Sequence, residues 1–202
     1  MRRKSGVSTS TVVSGAATRI AAITPYYLPA RPDELIAHYR AIRDAASGPE
    51  LYAYIFPERT GLRVSPTLFA RVAEAAGLAG AKISGSAAGE LAGYVAAAPG
   101  LRFFSGDDAN PAATMRAGGA GVISGRSSAY PEVYATLQHQ PQAAQETLDQ
   151  IVALGASVGR LKHALRLRGF GSGAARMTVD PPGPETSAAI AALVAAAQMY
   201  TG

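Results

Sequence analysis

Five short apolar runs, each closed by a polar elbow and followed by a helix-compatible stretch, recur along this chain at about 20–24, 51–56, 79–84, 101–105 and 120–124. Strands that alternate with helices pair in parallel, because two parallel strands need a crossover long enough to hold a helix. The chain is therefore α/β. Its polar residues gather at the strand C-terminal ends, where parallel α/β barrels place their chemistry.

The third run, Leu78-Ala-Gly-Ala-Lys-Ile-Ser84, carries Lys82, one of three lysines in 202 residues. An ammonium beside an apolar core is penalised by desolvation, and an amine held neutral there attacks carbonyl carbon to form an imine. The alternative is a strand-end lysine whose head reaches water. Tyr54 lies upstream in Leu51-Tyr-Ala-Tyr-Ile-Phe-Pro-Glu-Arg-Thr-Gly61, an alternating strand closed by a Pro/Gly turn, and Phe103-Phe-Ser-Gly-Asp-Asp108 lies downstream. A phenol can pass protons during imine formation; the competing role for Tyr54 is a core aromatic. Arg59 falls in the turn, where a planar guanidinium either clamps a carboxylate with two hydrogen bonds or faces solvent. Asp107 and Asp108 read as helix N-caps rather than metal ligands, since no third carboxylate or histidine accompanies them.

Between the runs, 33–46 reads as an amphipathic helix with Leu35, Ile36, Tyr39 and Ile42 inward. Ser65 caps a helix opened by Pro66 and running to Ala76. Segments 87–97 and 112–117 follow the third and fourth strands, and Pro131 starts a helix after the last. Ala-rich segments at about 141–168 and 185–200 flank a Pro/Gly linker at 179–184.

Composition narrows the function classes. With 48% hydrophobic residues the chain can bury a core as one soluble domain, and without cysteine it has neither disulfides nor a Cys-ligated zinc, which fits a cytoplasmic setting. His38, His139 and His163 sit in separate helix-like segments without ligand spacing and read as helix-surface residues. The net charge of +5 is local: Arg2, Arg3, Lys4 and Arg19 have no acid among the first 20 residues, and Arg160, Lys162, Arg166, Arg168 and Arg176 have none between 160 and 176. Neither stretch interleaves aromatics, which argues against nucleic acid. Residues 8–15 interrupt any signal-peptide apolar run, and no stretch reaches the roughly 18 apolar residues of a membrane span.

Thr24-Pro-Tyr-Tyr27, Tyr54-Ile-Phe-Pro-Glu-Arg-Thr-Gly61, Ala79-Gly-Ala-Lys82, Ser105-Gly-Asp-Asp108 and Gly121-Val-Ile-Ser124 come in the order and spacing of a known family. From about Ile20 to the C-terminus the chain resembles the dihydrodipicolinate synthase/N-acetylneuraminate lyase family, the class I Schiff-base pyruvate aldolases. The resemblance implies a (β/α)8 TIM barrel, which typically takes about 250 residues. The five runs match its strands four to eight. The first three βα units, with the family's Gly-Thr-Thr-Gly turn, have no counterpart, so the barrel is expected to be incomplete. The expected organisation is a leader at 1–19, a partial barrel at 20–138 and a C-terminal helical appendage at 139–202.

By resemblance, Lys82 forms the imine with pyruvate, Tyr54 shuttles protons, and Tyr27 completes the relay in a neighbouring subunit rather than packing under a loop. Arg59 resembles the arginine that the synthases use for the aldehyde's carboxylate, and Gly106 and Ile123 supply backbone carbonyls around the imine. No cofactor beyond the covalent lysine imine and no metal is implied. The implied partners are pyruvate or another 2-oxo acid, an aldehyde, and further copies of the chain in a dimer or tetramer. Ile55 stands where the synthases usually have Asn, Glu58 replaces a small residue, and Ile83-Ser-Gly85 lacks an acidic residue often found there; these departures leave the aldehyde open. The other reading is a non-catalytic remnant of the family acting at most as an interaction partner. In both readings the first and last runs present unpaired sheet edges.

Overall fold

The computed structural model describes residues 17–46 and 48–200. Five strands form within two residues of the places their apolar runs mark: β1 Arg19–Ile23, β2 Glu50–Ile55, β3 Gly80–Ile83, β4 Arg102–Ser105 and β5 Gly121–Val122. They lie in one parallel sheet of order β1-β2-β3-β4-β5. Among the described residues this sheet is open, with β1 and β5 at its edges. Most of the leader expected at 1–19 falls outside the described residues.

Proline starts most of the helices. In α1 (Pro32–Ala45), α2 (Pro57–Thr60), α3 (Pro66–Ala76), α5 (Pro111–Arg116), α6 (Pro131–His139), α7 (Pro141–Ala153) and α9 (Pro184–Gln198) it occupies the first turn. There its missing N–H costs nothing and its fixed φ is already helical. Only α4 (Leu91–Ala97) and α8 (Val158–Leu167) begin otherwise among the described residues. Ser65 caps α3 by accepting the Leu68 N–H at 3.2 Å, and Gly77, at φ 60°, ends it. The expected 87–97 helix opens with a 3-10 turn, Gly85–Glu90. The expected 141–168 helix is two helices, because Gly155 turns left-handed at φ 77° and Ser157 starts α8 by accepting the Arg160 N–H.

Two cores result. Leu51, Ala53, Ile55, Ala81, Ile83 and Phe103 point from one face of the sheet into α1, α3 and α4, where Tyr39, Phe69, Val72, Leu91 and Tyr94 meet them. Phe69 stands edge-on to Tyr94 and Phe103, with ring centroids 5.9 and 5.3 Å away. The second core joins Val133, Leu148, Ile151, Ala164, Ile190 and Val194 of α6 to α9. It begins at Ala129, so α6 packs with the later helices.

Candidate active site

Ala81 and Ile83 are fully buried on the helix-covered face, so Lys82 between them projects from the other. Strand register then sets Ile23, Tyr54, Lys82, Phe104 and Gly121 side by side across all five strands. Lys82 is half-buried, and its Nζ lies 4.4 Å from the centroid of the Tyr54 ring. The ammonium faces the π cloud, a contact worth about 0.5–1 kcal/mol where water still reaches it.

Two further expected residues stand one step nearer the strand C-termini. The Gly106 N–H donates to the Ile83 carbonyl at 2.6 Å, and the Ile123 N–H donates to the Ser105 carbonyl at 2.9 Å. A Cβ on Gly106 would collide with Ser84 Oγ and come 3.2 Å from Lys82 Cε, so only glycine lets the backbone pass beside the lysine stem. Toward the strand N-termini on the same face, Tyr52 meets Phe104 edge-on at 6.0 Å, and the Arg102 guanidinium lies 5.5 Å from the Tyr52 ring. Glu50 accepts from Arg19 at 2.9 Å and from Arg102; the Arg19 hydrogen bond leads in holding its carboxyl below the usual range.

Arg59 lies in α2, exposed, with its guanidinium 5.6 Å from the Phe56 ring and no carboxylate partner among the described residues. Its neighbour Glu58 does more for the local structure. The Glu58 carboxylate accepts the Ser86 N–H at 2.8 Å and lies over Gly85, whose φ of 64° and lack of Cβ make room for it. Hydrogen bonds from Ser86 hold the Glu58 carboxyl low. That bond ties α2 to the turn leaving β3, the lysine's own strand.

Tyr27 stands apart from the Lys82 row. It is 92% exposed at a left-handed φ of 76°, beside the exposed Tyr26 and Leu28. Thr24, where β1 ends, is buried; its N–H donates to the Tyr54 carbonyl, and its Oγ1 has no hydrogen-bond partner among the described residues.

The two aspartates do not cap the helix after β4. Asn110 caps α5 by accepting the Ala113 N–H at 3.0 Å, because Pro111 sets the first helical residue and the cap must directly precede it. Asp107 closes a turn onto the Ala109 N–H. Asp108, 6% exposed, accepts from the Ser124 hydroxyl and the Arg126 guanidinium, and its carbonyl accepts from the Tyr134 hydroxyl at 3.2 Å. Burial pushes the Tyr134 phenol up to about 12. Sequence reasoning missed this cluster because it joins the ends of β4 and β5 to α6, which no spacing along the chain reveals.

His38 also departs from a simple surface role. It is half-buried on α1 with Nε2 3.2 Å from the Ile23 carbonyl; since a carbonyl only accepts, Nε2 carries the proton there. His163 Nδ1 lies 3.5 Å from an Arg166 nitrogen, and the side chain of His139 is outside those described. Among the described residues no three His, Asp or Glu side chains converge as a ligand set, and no helix is long and apolar enough to cross a membrane.

A parallel sheet with helices packed on one face and a lysine–tyrosine row on the other defines a class of α/β protein, and comparison with known proteins places the chain within it. Residues 7–179 match the dihydrodipicolinate synthetase family. The chain is 32% identical over 174 residues to an uncharacterized DapA-like lyase of Halobacterium salinarum, a match covering 81% of this chain and 57% of the relative. It is 31% identical over 188 residues to 4-hydroxy-tetrahydrodipicolinate synthase of a Synechococcus strain, covering 86% of this chain and 62% of that enzyme. The fold matches a prophage protein of the dihydrodipicolinic acid synthase family from E. coli K12, solved in complex with pyruvate, with a TM-score of 0.77 and 23% identity over 90% of this chain and 67% of the other. This chain belongs to the dihydrodipicolinate synthetase family. It spans about three-fifths of the length of the curated relatives it matches. The family match begins at residue 7, upstream of Ile20, and ends at residue 179, while structural neighbours cover about nine-tenths of the chain.

Proposed function

We propose that this chain carries the imine-forming part of a pyruvate-dependent Schiff-base lyase. The observation that carries the reading is the placing of the Lys82 amine over the Tyr54 ring in the single row that crosses the sheet. The Lys82 nitrogen attacks the 2-oxo carbon of pyruvate, and the carbonyl oxygen leaves as water to give an imine. Loss of a methyl proton yields an enamine, whose carbon adds to an aldehyde. Tyr54, at the amine, carries protons between the attacking nitrogen and the departing oxygen. Gly106 and Ile123 line the imine, and Arg59 meets the aldehyde's carboxylate at the strand ends. No cofactor beyond the lysine is required, and a cytoplasmic setting fits the cysteine-free chain.

The five strands take the places of strands four to eight of the family's barrel. Turnover then requires the remaining βα units in cis or in trans, and Tyr27, exposed on its loop, reaches the site of a second copy in a homo-oligomer. What supports this is the share of the relatives' length that the chain spans, together with the open sheet. That same open sheet favours a second reading, a non-catalytic remnant serving as an interaction partner.

Pyruvate with borohydride separates the two readings. A reduced adduct is expected on the peptide containing Lys82 and absent from Lys82→Ala. An adduct on Lys4 or Lys162 instead sinks the lysine assignment, and no adduct at all favours the remnant.

A further inference from the structure

Tyr54 and Lys82 are ladder partners close to where the β2–β3 pairing stops. The Ser84 N–H donates to the Ile55 carbonyl at 2.9 Å, and past that point no backbone hydrogen bond joins the two chain segments among the described residues. Ladder ends fray unless something beyond them closes the gap. Here a side chain does so: Glu58 Oε1 accepts the Ser86 N–H at 2.8 Å. Glu58 lies four positions beyond Tyr54, and Ser86 four beyond Lys82, so this bond closes a ring through both reactive residues.

The inside of that ring is packed. A Cβ on Gly85, at φ 64°, would come 1.9 Å from Glu58 Oε2 and 2.9 Å from the Phe56 ring, so the carboxylate and the ring both press on the bare turn. The Phe56 ring stands 6.0 Å from the Tyr54 ring, whose centroid is 4.4 Å from Lys82 Nζ. Gly106 borders the lysine stem from the other side, on the chain leaving β4. An ammonium on a flexible four-carbon stem is aimed by such walls, since one partly solvated contact with a ring holds it only weakly.

We propose that Glu58 is a positioning residue: by clamping the turn after β3 onto Phe56 it holds the Tyr54 ring, and with it the Lys82 amine, in the attacking position. The inference rests on the reading of Lys82 as the imine former and concerns how that amine is aimed. Glu58 stands where the family resemblance puts a small residue, one too short to reach Ser86, so the clamp is a property of this chain's own sequence.

The test follows the amine itself. Lys4, Lys82 and Lys162 are the only lysines, so reductive methylation of the full chain with 13C-formaldehyde gives three lysine dimethyl signals in NMR spectra, and Lys82→Ala identifies its own. Methyl groups over the face of a ring resonate upfield, so the Lys82 signal is expected upfield of the other two. Glu58→Ala should return it toward them. Glu58→Gln, whose amide oxygen still accepts the Ser86 N–H, should keep it in place. In unmethylated protein, Glu58→Ala should slow pyruvate–borohydride trapping of Lys82 by up to about 100-fold, the cost of a misplaced reacting group, and leave the half-saturating pyruvate concentration unmoved. Glu58→Gln should keep the rate, and Ser65→Ala, which weakens α3 away from the pair, should change neither readout.

A Lys82 signal that is not upfield, or that Glu58→Ala leaves in place, overturns the clamp. Equal effects of Ser65→Ala overturn it as general loosening, and equal effects of Glu58→Gln overturn it in favour of charge alone. A signal that answers to Glu58 in a chain that never traps pyruvate keeps the clamp and removes the pyruvate reading. Trapping at an undiminished rate in Glu58→Ala removes the clamp and leaves the pyruvate reading standing.

Discussion

The sheet half and the helical half of this molecule keep their shape by different means. In the sheet half the ion pairs Arg19–Glu50, Arg102–Glu50, Arg31–Glu34 and Arg63–Glu90 all have side chains at least 41% exposed. The two sheltered pairs lie elsewhere: Arg126–Asp108 at the junction, and Arg168–Glu132 between the end of α8 and α6, its side chains only 10% and 11% exposed. A parallel ladder dictates neighbour, spacing and register through backbone hydrogen bonds, so charges on the sheet need only sit at its rim. Helices share no ladder. The Ala-rich α9 buries Ile190, Leu193, Val194 and Ala197, yet neighbouring rotations of so uniform a helix would bury similar area. Arg168–Glu132, and the Tyr200 hydroxyl near Thr147 and the Ala143 carbonyl, select one packing from these. Polar groups are buried here where the backbone leaves the arrangement underdetermined.

The widest break in this comparison comes from emptying each core. Phe69→Ala should cost about 3–5 kcal/mol and Leu148→Ala about 2–5 kcal/mol in denaturant unfolding. If the halves unfold as one, each variant lowers a single shared transition; if hydrogen exchange speeds up only in the mutated half, the halves are separately cooperative. Next in size, Glu132→Ala should cost about 3–5 kcal/mol, because it strands the Arg168 guanidinium in the helical core. Glu90→Ala, which frees an exposed arginine, should cost less than about 1 kcal/mol. Equal losses for the two would erase the distinction between rim and core pairs.

Alkaline pH should loosen both halves. Desolvation raises the Tyr94 phenol of the sheet half and the Tyr134 phenol of the helical half to about 12, from an ordinary value of 10.0. The folded state therefore holds these protons more tightly than the unfolded chain does. Their contribution is complete below pH 10 and is lost as pH rises toward 12. Melting temperature should fall across that window; Tyr94→Phe and Tyr134→Phe should each flatten the fall, and a profile unmoved by both would refute the assignment. The smallest effects concern caps. Ser65→Ala and Asn110→Ala should each cost about 1 kcal/mol in thermal melts, and Asp107→Ala close to nothing.

The strands were legible because apolar runs ended in Pro, Gly or polar elbows, and α3 was legible down to its cap because Ser65-Pro66 states both the cap and the first turn. The same grammar was available at Asn110-Pro111, but the adjacent Asp pair drew the cap two residues early. Tyr54 and Lys82 could be paired from sequence through the family resemblance, which singles out Tyr54 over Tyr52 by its place relative to Pro57 and Lys82. Phe104 in their row could not, because its neighbourhood depends on which residue of β4 faces Lys82. Nor could Glu58 over Gly85 or Arg126 on Asp108. Those contacts bring together residues 27 and 18 positions apart, and only tertiary packing sets them.

The hydroxyl of Thr24, unpartnered among the described residues, separates two kinds of selection. Withdrawing a hydroxyl from water without a replacement partner costs about 1–3 kcal/mol, so folding alone gains from the isosteric valine. A library of variants sorted for heat resistance would enrich Thr24→Val, while the same library sorted for covalent capture of pyruvate would weigh that change on a separate scale. This one position at the end of β1, hydrogen-bonded through its backbone to Tyr54, is where a ranking by durability and a ranking by chemistry part company.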